Sequence, residues 1–216
     1  MAEALEFLQE VGVVHGDLKS ENILVKEESL VVDDKWAYLS HVSAQLADFG
    51  CSFSTIPEPG RTPLPFNCGT SMLLAPERVL DMSSGHAGDI WSLGLSVLEW
   101  AAGLNVLEPL NCDTQGEMLS VMEKMVGKRL SAAMRDKAAT CAGFVIKPGR
   151  RNRRRKSCAP TQEQQVLLRG LDNVGSYQGN VDHRHIISLC KQMLRLEPTK
   201  RVTVAKLLKN SWLLLG

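Results

Sequence analysis

The 216-residue sequence has no uncharged apolar run long enough to cross a bilayer, so we expect no membrane-spanning helix. It also lacks an excess of either charge, since 25 Lys and Arg stand against 24 Asp and Glu. A net charge of +1 argues against a nucleic-acid-binding protein. The six cysteines include no C-x-x-C pair, which fits reduced thiols better than a disulfide framework or a zinc site. The acidic first ten residues do not resemble a signal peptide, and we expect a nuclear or cytoplasmic protein.

The composition is that of a folded chain with an uneven charge distribution. Apolar residues make up 44% and charged residues 23%, enough for a packed core in one good-sized domain or two small ones. Residues 1–108 hold 16 acidic and 5 basic residues, a net charge of −11, and residues 109–216 have a net charge of +12. The basic excess is concentrated in R-R-N-R-R-R-K at 150–156. That run is interpreted either as a solvated loop or as a nuclear-localisation or docking patch.

The spacing of apolar residues predicts a mostly helical chain with a few short strands near its N-terminus. The expected helices cover residues 2–12, 88–102, 116–126, 184–196 and 203–213. Thr203 is the expected N-cap of the last helix. The expected strands cover 13–14, 23–25 and an extended hairpin at 26–45 that turns near Asp33 and Asp34. The expected loops are a proline-rich segment at 51–68 and a polar, basic segment at 143–165.

Four short motifs follow one another along the first half of the chain. They read H-G-D-L-K-S-E-N at 15–22, D-F-G at 48–50, A-P-E at 75–77 and G-D-I-W-S-L-G at 88–94. In this order they resemble the protein-kinase set H-R-D-L-x-x-x-N, D-F-G and A-P-E. The resemblance runs from residue 1 to about residue 214. It implies an α+β, protein-kinase-like fold in which residues 1–216 form the predominantly helical C-terminal lobe, with a basic loop insertion at 143–165.

The resemblance gives each polar motif residue a role in phosphoryl transfer, which needs positioning and charge neutralisation. Asp17 matches the carboxylate that orients the substrate hydroxyl and accepts its proton. Lys19 matches the cation that offsets charge on the transferred phosphate. The resemblance also implies a catalytic role for Asn22. Asn22 and Asp48 match the ligands of Mg²⁺, an ion that prefers oxygen donors. The residues implied to contact ATP are Lys19, Glu21, Asn22, Leu24 and Asp48. The alternative for Asp17 and Asp48 is a solvated loop acid or a helix cap.

Further matches are architectural. Leu24 corresponds to the apolar floor of the adenine pocket. Glu77 and Arg201 correspond to a buried ion pair that joins the activation segment to the last helices. Asp89 corresponds to an acid that braces the catalytic loop through backbone N–H groups. Thr70 corresponds to the hydroxyl that contacts the catalytic Asp and Lys.

The subgroup is predicted from four features. Lys19 in D-L-K-x-x-N is typical of serine/threonine kinases. Three features resemble LAMMER kinases of the CMGC group. They are the long gap between Asn22 and Asp48, the segment G-E-M-L-S-V-M-E-K-M-V-G-K at 116–128, and the segment 188–208. An ordinary Met-rich amphipathic helix is the alternative interpretation of 116–128. The resemblance implies transfer of the ATP γ-phosphoryl group to protein Ser or Thr, extended to Tyr as in LAMMER kinases, with basic Arg/Ser-rich substrates.

Some residues depart from the family pattern. Gly16 replaces the Arg of H-R-D, so we expect no control through pairing of that Arg with a phosphorylated loop. LAMMER kinases lack this Arg as well. Leu73 and Leu74 stand where the subgroup has Tyr-Arg, so we expect a changed substrate-facing loop and carry over no substrate preference from it.

The motifs of the kinase N-terminal lobe are missing from these residues: there is no Gly-rich loop and no strand Lys with its partner Glu. Three interpretations stay open: a truncated form of a longer active kinase, a catalytically inactive C-lobe that acts as a protein-binding module, or a partner that supplies the missing half. We favour the first, because Asp17, Lys19, Asn22 and Asp48 are all retained. Residues 1–216 alone are expected to bind Mg·ATP weakly.

Overall fold

The computed structural model describes residues 1–32, 37–56, 68–70, 73–82, 84–102, 115–140 and 181–210. The turn predicted near Asp33 and Asp34, the predicted basic loop at 143–165 and the predicted helix beyond residue 210 lie outside these ranges. None of the helices within the described ranges is long and apolar enough to cross a membrane.

The described chain is rich in helix and has a few short strands near its N-terminus, as predicted. Its strands are β1 (Val13–Val14), β2 (Ile23–Val32), β3 (Ala37–Leu46) and β4 (Phe53–Ser54). Its helices are α1 (Ala2–Glu10), α2 (Pro76–Val79), α3 (His86–Ala102), α4 (Gln115–Val126), α5 (Ala132–Thr140), α6 (Val181–Met193) and α7 (Val204–Leu207). Short 3₁₀ turns lie at Ser20–Asn22, Phe49–Cys51 and Pro198–Lys200.

The strands form two antiparallel pairs, β1 with β4 and β2 with β3. The predicted hairpin is present and begins earlier than expected, since β2 runs on from Ile23 and pairs it with Leu46. Its register shifts between Glu27 and Ser29, as at a β-bulge. The prediction of a loop from residue 51 is wrong at its start, where a 3₁₀ turn and β4 lie. The pairing of Phe53 with Val14 supplies the backbone hydrogen bonds that a two-residue strand cannot provide alone.

Helix α3 lies at the centre of the core. Its buried residues recur at helical spacing, with Trp91 fully buried and Leu95 and Leu98 nearly so. Gly94 lies where α3 meets the end of α6, because a Cβ there would come within 2.9 Å of the Met193 Cβ. The lack of a side chain at Gly94 therefore lets the two segments approach closely.

Two helical predictions need correction. Helix α7 is shorter than predicted; Thr203 is its N-cap residue, as predicted, and caps it without a side-chain hydrogen bond. Helix α5 was not predicted because A-A-M-R-D-K-A-A-T has almost no apolar stripe. Leu130 and Met134 are buried in the main core and hold this segment against it.

Candidate active site

The carboxylate of Asp17 is held by Thr70, which follows it by 53 positions in the chain. Thr70 donates to Asp17 Oδ1 twice, from its backbone N–H at 2.7 Å and from its hydroxyl at 2.7 Å. Asp17 lies in the loop between β1 and β2, and Thr70 lies shortly before α2. The predicted contact between the Thr70 hydroxyl and the loop acid is therefore present, and it fixes the direction of the Asp17 side chain.

Lys19 and Asn22 complete this cluster. The Lys19 Nζ donates to the Thr70 hydroxyl at 3.0 Å and lies 3.2 Å from Asp17 Oδ2. The Asn22 Nδ2 donates to the Asp17 carbonyl oxygen at 2.8 Å. Asp17 and Asn22 thus stand at the two ends of a short loop that this side-chain hydrogen bond closes. The bond uses the amide nitrogen of Asn22 and leaves its amide oxygen available for another ligand. The structure brings the three predicted catalytic residues together.

The cluster favours the ionised form of Asp17. Partial burial opposes ionisation, but the hydrogen bonds from Thr70 and the Lys19 ammonium outweigh it and lower the pKa of Asp17 below its usual value of 3.8. Asp17 is therefore a charged acceptor at neutral pH, as an acid that receives a hydroxyl hydrogen bond must be.

Replacement of Thr70 with Val is expected to raise the pKa of Asp17 toward 3.8, because Val keeps the shape and removes the hydroxyl donor. The lowered pKa stabilises the folded wild type above pH 3.8, and this contribution is lost as the pH falls through the folded-state value. The difference in unfolding free energy between wild type and Thr70→Val should therefore shrink as the pH falls below 3.8. Carboxyl NMR titration and urea unfolding measure the two effects.

Thr55→Val is the matched control for this substitution. The Thr55 hydroxyl donates to the Gly12 carbonyl at 3.1 Å and has no hydrogen bond to Asp17 among those described. An equal pKa change for Asp17 in both variants would contradict the role given to Thr70.

Asp89 braces the loop that carries Asp17. Its carboxylate accepts the backbone N–H of His15 at 2.8 Å and that of Gly16 at 3.0 Å. Burial raises the pKa of Asp89, and the two backbone hydrogen bonds act in the opposite direction. Asp89 lies in the first turn of α3, which begins three residues earlier at His86.

Gly16 is required by the backbone. Its φ is +80°, and a Cβ there would collide with the Cys51 carbonyl oxygen. A residue with a side chain would therefore strain the loop and displace the neighbouring turn. The departure from H-R-D thus has a local steric cause, which the motif alone does not reveal.

Asp48 lies in the turn packed against this loop. Ala47 donates its N–H to the Asn22 carbonyl at 2.9 Å, and the Phe49 and His15 rings are 4.9 Å apart. Asp48 has a φ of 59°, and its Oδ1 accepts the Gly50 N–H. The backbone hydrogen bond to Asn22 brings the two predicted metal ligands to neighbouring positions.

The other predicted nucleotide contacts lie at the edge of the site. Leu24 is on β2 with 56% of its surface exposed, and Glu21 is exposed and accepts the Ser20 hydroxyl at 3.1 Å. Neither has a described contact with the Asp17 cluster. Their roles as adenine floor and nucleotide contact stay predictions.

The predicted pair of Glu77 and Arg201 is present and buried, with 1% of each side chain exposed. The guanidinium donates to both carboxylate oxygens at 2.6 Å and to the Ala87 carbonyl at 2.7 Å. Its centre also lies 5.2 Å from the Trp91 ring. These contacts fasten α2, which follows the Thr70 segment, to the C-terminal part of the chain.

Two sequence interpretations are corrected near the site. Leu73 and Leu74, expected in a substrate-facing loop, are buried in the core. Cys51 and Cys68, expected as reduced thiols, are joined by a disulfide. Sequence reasoning also missed Arg78, whose Nη2 donates to the Cys68 carbonyl at 2.7 Å. No local pattern points to these contacts, because the partners lie ten or more positions apart.

Comparisons with known proteins match this chain to protein kinases. A family model described as protein kinase domain matches residues 1–213. Human 3-phosphoinositide-dependent protein kinase 1 is 32% identical over 104 residues, which are 48% of this chain and 16% of that protein. Probable serine/threonine-protein kinase fnkB of Dictyostelium discoideum is 33% identical over 48% of this chain and 17% of its own length. A crystal structure of a kinase domain has a TM-score of 0.70 at 22% identity, covering 98% of this chain and 62% of that one.

Proposed function

Because this chain belongs to the protein kinase domain family, we propose that it carries the catalytic loop of an enzyme that transfers the γ-phosphoryl group of ATP to Ser or Thr of a protein. The matched part is less than a fifth of the length of the two relatives. The proposed activity therefore rests on the contacts among the described residues of this chain and not on the relatives' activities. The observation that carries the proposal is the Asp17 carboxylate, ionised and aimed by Thr70 beside the Lys19 ammonium.

The cluster suits phosphoryl transfer because it separates two tasks. Asp17 accepts the hydrogen bond of the attacking hydroxyl and orients it, and the low pKa of Asp17 keeps this acceptor charged. Lys19 lies within 3.2 Å of the same carboxylate and offers a positive charge to the transferred phosphate. Thr70 bonds both groups and so fixes their separation.

The donor set fits a magnesium ion with bound nucleotide. Asn22 and Asp48 provide an amide and a carboxylate oxygen, which suit Mg²⁺, and both belong to segments joined by a backbone hydrogen bond. When bound, the ion neutralises charge on the phosphates. The Asn22 hydrogen bond to the Asp17 carbonyl holds the amide in place for this task.

The role assignments are tested by nucleotide affinity. Asp48→Ala is expected to weaken Mg·ATP binding on the order of tenfold or more, because it removes a metal ligand. Asp17→Asn is expected to leave the affinity nearly unchanged, because that carboxylate faces the substrate hydroxyl. Isothermal titration of the form of the protein that binds Mg·ATP measures both dissociation constants.

Asp136→Ala serves as the control for this comparison, since Asp136 is an exposed acid on helix α5, where Ala introduces no backbone strain. It should bind Mg·ATP as the wild type does. Equal losses of affinity in Asp17→Asn and Asp48→Ala would contradict the assigned division of roles.

The LAMMER subgroup stays a prediction from residues 116–128 and 188–208. The relatives named above are other kinases and do not support it. Helix α4 buries Met118, Met122 and Met125, which also agrees with the alternative of a Met-rich amphipathic helix. Transfer to Tyr likewise rests on the subgroup alone.

Basic substrates are proposed because the half of the chain that holds the site is acidic. Residues 1–108, which include the site, have a net charge of −11. A site of one sign concentrates substrates of the opposite sign, and salt screens the effect. We therefore expect faster phosphorylation of peptides with Ser flanked by Arg than by Glu, with a difference that narrows as salt rises.

A peptide library profiled at low and high ionic strength tests this preference. The matched control is a peptide pair with neutral flanks, whose rates should not respond to salt in the same way. A preference for acidic flanks, or a preference indifferent to salt, would contradict electrostatic selection.

A further inference from the structure

A disulfide joins Cys51, which lies shortly after Asp48, to Cys68, which lies shortly before Thr70. Their Cα atoms are 5.7 Å apart, within the usual range for a disulfide. Both residues are half-buried and so lie within reach of a small oxidant or reductant. Cys190, the free cysteine of the described residues, is buried, and burial raises its pKa to about 12. The two types of environment separate a reactive pair from an inert thiol.

Each member of the pair is attached to a different side of the Asp17 cluster. Cys51 ends the 3₁₀ turn that begins directly after Asp48, and its carbonyl oxygen lies against Gly16. Cys68 precedes Thr70 by two residues, and its own carbonyl accepts a hydrogen bond from Arg78. A bond between the two sulfurs therefore ties the Asp48 turn to the residue that aims Asp17.

We propose that Cys51 and Cys68 are a redox-modification site whose reversible disulfide stabilises the hydrogen bonds of Thr70 to Asp17. The oxidised protein holds Thr70 over Asp17 at the described distances. In the reduced protein the segment before Thr70 keeps the Arg78 hydrogen bond and loses its covalent tie to the Asp48 turn. The redox state then sets the fraction of molecules in which the cluster is assembled.

The oxidant is hydrogen peroxide. One thiolate attacks a peroxide oxygen, the O–O bond breaks, and a sulfenic acid and one water form after proton transfer. The second thiol attacks the sulfenic sulfur, the S–S bond forms, the S–O bond breaks, and a second water leaves. Two molecules of a small thiol such as glutathione reverse the step by thiol–disulfide exchange and leave as glutathione disulfide.

The bond itself is tested by mass spectrometry of the full chain after hydrogen peroxide or glutathione treatment. Trypsin cleaves after Lys35, Arg61 and Arg78, so Cys51 and Cys68 fall in separate peptides, 36–61 and 62–78. Oxidised protein should give the two peptides cross-linked, and glutathione should release them. Cys51→Ser and Cys68→Ser should each abolish the cross-link, and Cys112→Ser should retain it. Absence of the cross-linked pair after oxidation overturns the proposal.

The coupling to Asp17 is tested without an activity assay. Oxidation should slow hydrogen exchange of the Thr70 amide about tenfold and raise Tm by about 5–10 °C, in wild type and Cys112→Ser alone. Cys51→Ser and Cys68→Ser should show the reduced-state values under both conditions. Because each of these variants loses the bond by a different substitution, a defect peculiar to one of them is recognised. A cross-link that leaves Thr70 exchange unchanged overturns the coupling.

The effect on phosphoryl transfer rests on the proposed function. Reduction should lower kcat by about 10- to 100-fold, since misplacing a catalytic group by 1 Å can cost 10²-fold. Turnover that is equal in both redox states, with the cross-link and the exchange difference present, overturns the catalytic effect. Lack of turnover in both redox states, in every form of the protein including one that supplies the missing N-terminal lobe, contradicts the proposed kinase function, and the mass and exchange measurements still decide the redox site.

Discussion

Replacement of Asp17 with Asn is expected to lower kcat for phosphoryl transfer by about 10²–10⁴-fold, the range typical of losing a general acid–base group. Asn has nearly the same shape and can still accept the Thr70 hydrogen bonds through its amide oxygen. The variant therefore removes the negative charge and the proton acceptor while the loop keeps its conformation. Steady-state and single-turnover rates, measured on the form of the protein that turns over Mg·ATP, give the loss.

Asp81→Asn is the control, because it makes the same chemical change at an exposed acid. Asp81 has a φ of 54°, a conformation that Asn tolerates, so no strain is introduced. Its turnover should equal that of the wild type. A rate for Asp17→Asn within a few-fold of the wild type would contradict the role of Asp17, and lack of turnover in every form would favour the protein-binding module.

The second large effect concerns stability. Arg201→Met is expected to lower the free energy of unfolding by roughly 3–5 kcal/mol, because it leaves the buried Glu77 carboxylate without its partner. The Ala87, Arg195 and Leu196 carbonyl oxygens lose a donor in the same substitution. Urea unfolding followed by circular dichroism at neutral pH measures the change.

Two further variants separate the ion pair from other effects. Lys200→Met removes the neighbouring exposed cation and should change stability by no more than about 0.5 kcal/mol. Glu77→Met combined with Arg201→Met removes both charges and should recover part of the loss, because no isolated charge stays buried. The expected stabilisation by the ion pair would be contradicted if Arg201→Met were as stable as the wild type. It would also be contradicted if the double variant lost as much stability as the two single variants together.

Sequence reasoning placed the regular elements well where local periodicity is strong. Helix α3 was predicted within two residues at its start, because its buried residues repeat at helical spacing. The β2–β3 hairpin was predicted because it pairs neighbouring segments of the chain. Helix α5 was missed, since its packing depends on two buried residues that show no stripe. Local patterns thus predict elements whose stability is local.

The site shows the same difference between local contacts, which the sequence pattern predicts, and contacts between distant residues, which it does not. The spacing of Asp17 and Asn22 is a local loop, and the structure confirms that Asn22 closes it. The contacts of Thr70 and Arg201 were predicted from the family resemblance, since no periodicity links residues 53 or 124 positions apart. Cys51 and Cys68 belong to no motif, so their pairing depends on the folded backbone alone. The steric need for Gly16 is likewise visible only once the Cys51 carbonyl is in place.

The bond between Glu77 and Arg201 also bears on the order in which the chain folds. The β2–β3 hairpin joins near neighbours and can form within microseconds, as isolated hairpins do. Formation of the ion pair must bring together residues 124 positions apart. The chain therefore loses conformational entropy in closing this loop before the ion pair contributes its interaction energy. We therefore expect the pair to form late in folding, and we expect Arg201→Met to act mainly by speeding unfolding. In a cell we then expect the pair to affect mainly the lifetime of the folded protein rather than the rate at which it forms.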